Sequence, residues 1–563
     1  MKLKPHLWPF FTLLSFISAQ ATYSGSLSSK YAESSNDFNF SEHFFDGQIN
    51  LGSWSAWSQL EFSEPPELGV DFSGLRNFKL EYLGDNFSLE MGDVYTIWGR
   101  GLILNQVDDQ AIALDTGTRG LLLGYFHDSF TLNIITGKLR NWKSTPVVVD
   151  FNDRVPNYET DHFLTGANIE TENFGPRLGL SFLQSNENHF LPYGSNSEPE
   201  NLDIRHNFAG GYSELSGELF DAFFEFAYRN ASGPPDYTYI SHGFGLYAGI
   251  GTYVGDWSAV IDYKNYDFGR LSPDKNYEFV NNYDLSQDFQ RPPTGVYLHT
   301  SRLIGRVLHE LDLNDEVGSQ IHITGPIKDW FTLSLIHSRA SRHDVLSMNE
   351  QYVWNPQDKS RLIASDSPFS DYFRDTFIQI EGSLLGEKVH YKLAWDKLED
   401  VLSILTNVET VDGKTKSYEM VSAQTFPLDL SIQLPSRFSL EIKAEYQSLM
   451  KGYKNDFGEG MEFRSLYPVD TKYNTVISIG IARSPKWSIA YTMDRTSQEW
   501  DKKTWEWGPK TWTSIELLYN LSQNIRISIM SGSQQGGLLC SNGVCRYVQD
   551  FDDGYKINMN WLF

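Results

Sequence analysis

The last eleven residues, 553–563, constrain this chain more than any other stretch. Tyr555, Ile557, Met559, Trp561 and the terminal Phe563 alternate with Lys556, Asn558 and Asn560. A period of two that sends every large apolar side chain to one side makes a strand with one greasy face, which suits a wall with lipid outside and water inside. An edge strand of a soluble domain can alternate in the same way. The rest of the chain has to decide.

The N-terminus points the same way. Lys2 and Lys4 precede an apolar run over 7–17, and Ala19, Gln20 and Ala21 supply the small-x-small pattern of a secretory cleavage site. Residues 1–21 therefore read as a signal peptide and Thr22 as the mature start. No later stretch offers the ~20 consecutive apolar residues of a transmembrane helix. A mean hydropathy of −0.38 is no objection, because barrel strands hide their lipid face by alternation. A final strand that ends on an aromatic resembles the one by which bacterial outer-membrane β-barrels are recognised for assembly. That resemblance implies outer-membrane lipid around the wall and the barrel-assembly machinery as a partner of the strand from Tyr555 to Phe563.

Aromatics make up 15% of the chain, with 30 Tyr and 15 Trp, as interfacial girdles require. The net charge of −26, two units lower once Lys2 and Lys4 leave, argues against nucleic acid as a partner. Acidic loops read first as keeping a secreted protein soluble, and otherwise as binding divalent cations or repelling anions. Cys540 and Cys545 are the only cysteines and enclose an Asn-Gly pair; in an oxidising compartment they read as a disulfide closing a loop tip.

Between the ends runs a train of hairpins, from 23–31 and 44–51 against 56–62, through 78–83 and 87–91, to the pairs turning at Gly255-Asp256, Pro485-Lys486 and Ser522 to Asn524. Faces are legible: Phe220, Phe224, Phe226, Trp257, Ile261, Tyr391, Trp395, Leu440, Ile442, Trp487, Ile489, Ile557 and Trp561 should meet lipid. Asp221, Asp262, Lys392, Glu441, Lys443 and Asn558 should face inward. Short turns trade places with long polar connections, roughly 93–118, 138–160, 185–203, 230–240, 265–317, 339–374, 396–415, 448–472, 494–510 and 533–551. The pattern predicts one all-β domain over 22–563, a transmembrane antiparallel up-and-down β-barrel of about 24 strands, 22 to 26 being tolerable, with short periplasmic turns and long outer or inward-folded loops.

A bore of that width needs filling. TonB-dependent transporters place a plug domain before the first strand, whereas here a hairpin is expected almost at once, so loops 93–118 and 265–317 are the candidates. The first carries Gly92-Asp93-Val94-Tyr95, then Gly99-Arg100-Gly101-Leu102, Leu114-Asp115-Thr116 and Arg119-Gly120. The second carries Pro292-Pro293-Thr294, His299, Arg306, His309 and Asp315-Glu316-Val317-Gly318. These motifs resemble a family of large outer-membrane barrels described as a domain of unknown function. Tyr297-Leu298 and Gly305 depart from its pattern, and the resemblance implies no activity.

Arg100, Asp115, Arg119, His299, Arg302, Arg306, His309, Asp315 and Glu316 form the candidate set, read either as a salt-bridged network that holds inward loops to the wall or as a ligand site. His299, His309 and Glu316 are the nearest thing to a metal set, without diagnostic spacing, so neither metal nor cofactor is expected. With no Gly-x-Ser-x-Gly, His-Glu-x-x-His or Walker loop, no enzyme is expected either. Two function classes remain. One is a channel or transporter for an unidentified solute; the other is a surface scaffold or adhesin with a closed lumen that binds a surface or periplasmic protein through its loops. A continuous water path would favour the first, inserts packed wall to wall the second.

Overall fold

Strands whose apolar side chains all point one way satisfy their backbone groups in a membrane only by pairing on both edges, and here the pairing closes on itself. The structure, a computed structural model, describes residues 21–143, 154–191, 200–233, 242–268, 287–328, 330–348, 354–357, 362–410, 413–456, 460–501, 504–541 and 544–563. Its wall consists of β1 (Thr22–Glu33), β2 (Phe40–Leu51), β3 (Trp54–Ser63), β4 (Phe72–Leu83), β5 (Phe87–Val94), β6 (Thr118–His127), β7 (Phe130–Lys143), β8 (Tyr158–Thr171), β9 (Arg177–Leu191), β10 (Glu200–Ser216), β11 (Phe220–Ser232) and β12 (His242–Val254). It continues with β13 (Trp257–Asp267), β14 (Glu316–Ile327), β15 (Phe331–Ser341), β16 (Phe373–Leu384), β17 (Val389–Thr410), β18 (Gly413–Leu434), β19 (Phe438–Asp456), β20 (Lys472–Arg483), β21 (Trp487–Asp501), β22 (Glu506–Asn520), β23 (Ile525–Gln534) and β24 (Phe551–Leu562).

Each strand pairs antiparallel with its chain neighbours, and β24 returns to β1 with Leu27 opposite Trp561 and Tyr31 opposite Ile557. The result is a closed barrel of 24 strands, as expected from the sequence. The rim that carries both ends has turns of two to five residues, such as 52–53, 84–86 and 255–256. Among the described residues no helix is long and apolar enough to cross a membrane.

The two faces of the wall follow the expected register. Phe220, Phe224, Phe226, Trp257, Ile261, Ile489, Ile557 and Trp561 are exposed on the outside. Tyr391, Trp395, Leu440, Ile442 and Trp487 share that phase. Inside, Lys392 pairs with Glu381 at 3.1 Å, the Tyr247 hydroxyl donates to Asp262, and Asn558 donates to Ser528.

Several expected loops are strand instead. The stretch 396–415 is not a loop: β17 and β18 run for 22 residues each and are joined by 411–412 alone. Crossing lipid takes about ten residues, so this hairpin rises well clear of the membrane. There its charges alternate freely with Leu398, Val401 and Ile404, which face inward, the last two packing with Leu346, Phe369, Tyr418 and Met420. Likewise 494–510 narrows to 502–505, and the whole of 448–456 belongs to β19. Charged residues beyond the lipid edge remove the one-sided pattern without removing the strand.

Of the expected signal peptide, 1–21, residues 1–20 lie outside the described residues. Within 533–551 lies a small hairpin in which Cys540 and Cys545 stand opposite in register; their side chains lie outside the described residues, as does the disulfide expected of them.

Candidate functional site in the lumen

Three segments turn into the barrel rather than away from it: 95–117, 287–315 and the hairpin Gly537–Ser541/Val544–Val548. The first begins with Ile97, Trp98 and the Gly99-Arg100-Gly101-Leu102 run. Gly99 (φ +59) and Gly101 (φ +95) both take left-handed backbone, which folds the chain into a knob. Its backbone N–H groups at Arg100 and Leu102 donate to the two carboxylate oxygens of Glu225, on the inner face of β11, at 2.6 and 3.2 Å. A Cβ on Gly99 would sit 2.8 Å from that carboxylate, and one on Gly101 2.6 Å from the Arg291 carbonyl. The motif is therefore a close-approach device, in which the backbone binds rather than the arginine. Behind the knob, Trp98, Leu102, Ile103 and Leu104 pack with inward Leu164, Leu183, Phe208 and Ala227 in one apolar cluster.

Arg100 lies at the margin of this core, half exposed, 3.5 Å from Glu214 and stacked over Phe223, a member of the cluster. Asp115 accepts from Tyr95 at 2.9 Å and lies 3.7 Å from Arg76, which also holds Asp108 at 2.8 Å and Glu61 at 3.3 Å. Burial pushes the Asp108 carboxyl up to about 6, although Arg76 opposes it. Arg119 grips Asp93 through two nitrogens, at 2.9 and 3.1 Å. A cavity of about 810 Å³ opens beside this group, with Glu61, Arg76, Asp115, Arg119, Arg140 and Trp142 in its lining.

The second insert starts against the first, with Asn105 N–H donating to Phe289 O and Arg291 N–H to Gly101 O. Burial would raise the Asp288 carboxyl, but Lys143 at 3.0 Å and His162 hold it well below the usual range. The chain then crosses toward the opposite wall. Glu445 of β19 repeats the role of Glu225: it accepts from Arg302 N–H, Leu303 N–H and the Ser301 hydroxyl at 2.9, 2.8 and 2.7 Å. Arg306 reaches Asp494 of β21 at 2.5 Å, with Arg302 3.9 Å from the same carboxylate. His309 lies between Asp400 (3.0 Å) and Glu316 (3.4 Å), stacked on Phe373, and Asp315 accepts from His343 at 2.7 Å.

The structure thus brings the second motif's residues to one insert but not to one point. His299 is not joined to His309 and Glu316, as a shared metal set would require; it pairs with Asp375 of β16 at 3.2 Å. The third insert was not foreseen. Its Gly537 meets Arg306, and Arg546 reaches the Ile112 carbonyl at 3.4 Å, so it leans on both others. Glu225, Glu445, Asp375, Asp400 and Asp494 carry the attachment, and they look in the sequence like any other inward polar position.

Burial would lower the His309 imidazole, but Asp400 and Glu316 outweigh it and raise it to about 9. Lys264 is paired with Glu316, so the only charge that neutral His309 would leave uncompensated is that of Asp400. A folded value above the ordinary 6.5 means the attachment is fully present below about pH 6.5 and is lost as pH rises through about 9. Backbone protection factors over 299–315 should therefore fall between pH 7 and 10. In His309→Gln that fall should be absent; an equal fall in the variant would rule out His309 as its cause.

No curated protein matches the chain. Among solved structures, it is similar to the siderophore receptor PirA from Acinetobacter baumannii (8% identity, 96% of this chain and 80% of that one, TM-score 0.45). It is similar also to the FrpB iron transporter from Neisseria meningitidis (10%, 96% and 81%, 0.44) and to a ferric enterobactin receptor mutant from Pseudomonas aeruginosa (10%, 96% and 80%, 0.46). The model of a family of unknown function, DUF6029, matches residues 13–563, and with that match over nearly its whole length the chain belongs to this family.

Proposed function

We propose that the protein is a gated outer-membrane channel or transporter for an unidentified solute, with the 287–315 insert as its moving part. The observation that carries this is how that insert is held. Beyond Arg291 it is fixed to β16, β17, β19 and β21 by carboxylates and ion pairs, with Val296, Tyr297, Ile304 and Val307 in two apolar clusters smaller than the one behind the first insert. Inner-wall charges such as Lys392 and Glu381 keep 56% and 40% of their side-chain exposure. A wall of 24 strands is also far wider than anchoring needs.

One observation favours the second reading, a scaffold or adhesin with a closed lumen: the 95–104 knob is packed against the wall through an apolar cluster. A gate in one half of the bore is compatible with a fixed filling in the other. No catalytic step belongs to this reading. Its partners are outer-membrane lipid, the barrel-assembly machinery acting on the strand from Tyr555 to Phe563, and a surface or periplasmic protein able to move the insert.

The test is a reversible lock. In a Cys540→Ser, Cys545→Ser background, Ser301→Cys with Glu445→Cys should cross-link insert to wall on oxidation. In planar bilayers the background protein should show transient openings, the oxidised variant none, and the reduced variant openings again. A background protein that never opens, with no effect of reduction on the variant, would favour the scaffold.

A further inference from the structure

The contact between His299 and the wall contains a charge problem that the rest of the attachment does not. Asp375 on β16 and Asp396 on β17 are diagonal neighbours on the inner face, opposite Leu398 and Phe377 respectively. Their carboxylates and the His299 ring offer three donor atoms within 4.8 Å of one another. Asp375 and Asp396 are 2% and 1% exposed, and the His299 side chain is 3% exposed. Among the described residues neither carboxylate has a Lys or Arg ion-pair partner; the His299 contact is the only ion pair of Asp375. One buried atom of each residue, Asp375 Oδ1, Asp396 Oδ1 and His299 Nδ1, lacks a hydrogen-bond partner.

Two adjoining buried carboxylates are strongly unfavourable unless a proton or a cation lies between them. Elsewhere in the lumen each inward acid of the attachment has a clear partner: Glu225 and Glu445 have backbone N–H groups, and Asp494 has arginines. Here a neutral imidazole and two carboxylates balance one doubly charged ion. One nitrogen and two oxygen donors suit a transition ion of the Zn²⁺ or Mn²⁺ class better than Ca²⁺, which takes six or more oxygens. A small cavity of about 50 Å³, lined in part by His299, Ser301, Gln379, Lys392 and Asp429, adjoins the group. It has room for water to complete the coordination.

We propose that His299, Asp375 and Asp396 bind one divalent transition-metal ion, which fastens the second insert to the wall. The site does not depend on transport, since a scaffold would hold the ion equally well. The whole protein, purified in detergent and stripped with chelator, is titrated with Zn²⁺ and with Mn²⁺, and bound metal is counted. One ion per chain is expected for at least one of the two, at least tenfold tighter than Ca²⁺. His299→Ala and Asp396→Asn should each weaken it at least tenfold. Asp396→Asn also relieves the carboxylate pair, so loss of folding does not account for its result, and heat-modifiable gel migration checks the barrel in both variants. No stoichiometric binding, or binding unchanged in both variants, would overturn the proposal. If Asp396→Asn instead raises the melting temperature of chelator-stripped protein and wild type binds nothing, the pair shares a proton and the site is not a metal site.

Discussion

Removing residues 290–312 should raise single-channel conductance about tenfold or more, because it clears the part of the bore that the first and third inserts leave unfilled. The segment holds nearly every attachment of the second insert to β16 through β21, including Ser301, Arg302, Arg306 and His309. Phe289 and Leu313, which flank the cut, sit in the same apolar cluster and are rejoined through a flexible Gly-Ser linker. The barrel should still migrate as a heat-modifiable band, since β13 and β14 pair directly. Conductance unchanged in a folded deletion variant would mean that this segment does not obstruct the pore.

The second large effect is expected at the two glutamates. Glu225→Ala takes the acceptor from two N–H groups, and Glu445→Ala from two N–H groups and a hydroxyl. Each buried donor left alone costs about 1–3 kcal/mol, so either change removes several kcal/mol of attachment. The consequences should differ by insert. Glu225→Ala should expose Arg100 to trypsin while the apolar cluster keeps the remainder in place. Glu445→Ala should release the second insert and produce long-lived openings in bilayers. Gln at either position keeps one acceptor oxygen and should give an intermediate result. Identical behaviour of the Ala and Gln variants would show that the carboxylates are not the anchors.

Strand faces were legible in the sequence because lipid enforces them: Phe224 and Phe226 have no alternative to the outside, so Glu225 between them must point in. What Glu225 does there was not legible. Its partners are backbone N–H groups, which every residue carries, and the only trace is the pair of glycines around Arg100. The guanidinium itself drew attention and turned out to hold Glu214 at the margin of the core. Asp375 and Asp396 form no motif, since they meet only through strand register. Arg306, His309 and Asp315 share one insert, but their partners Asp494, Asp400 and His343 stand on or beside strands whose positions depend on counting every hairpin before them. Above the lipid edge that counting loses its signal, which is why the tall hairpin of β17 and β18 read as a loop.

The apolar cluster behind the Gly-Arg-Gly knob has a consequence for biogenesis. In β8 to β11, Leu164, Leu183, Phe208 and Ala227 face inward while Phe163, Phe182, Phe226 and Tyr228 face outward. These strands are greasy on both sides, and during periplasmic transit neither side has its final cover. Segments of that kind pair with other chains when left in water. The 95–104 run precedes them in the chain and fits their inner face, so it can shield one side before the membrane shields the other. Its loss should therefore be seen as protein missing from the membrane, through aggregation or proteolysis on the way, and not as an altered pore.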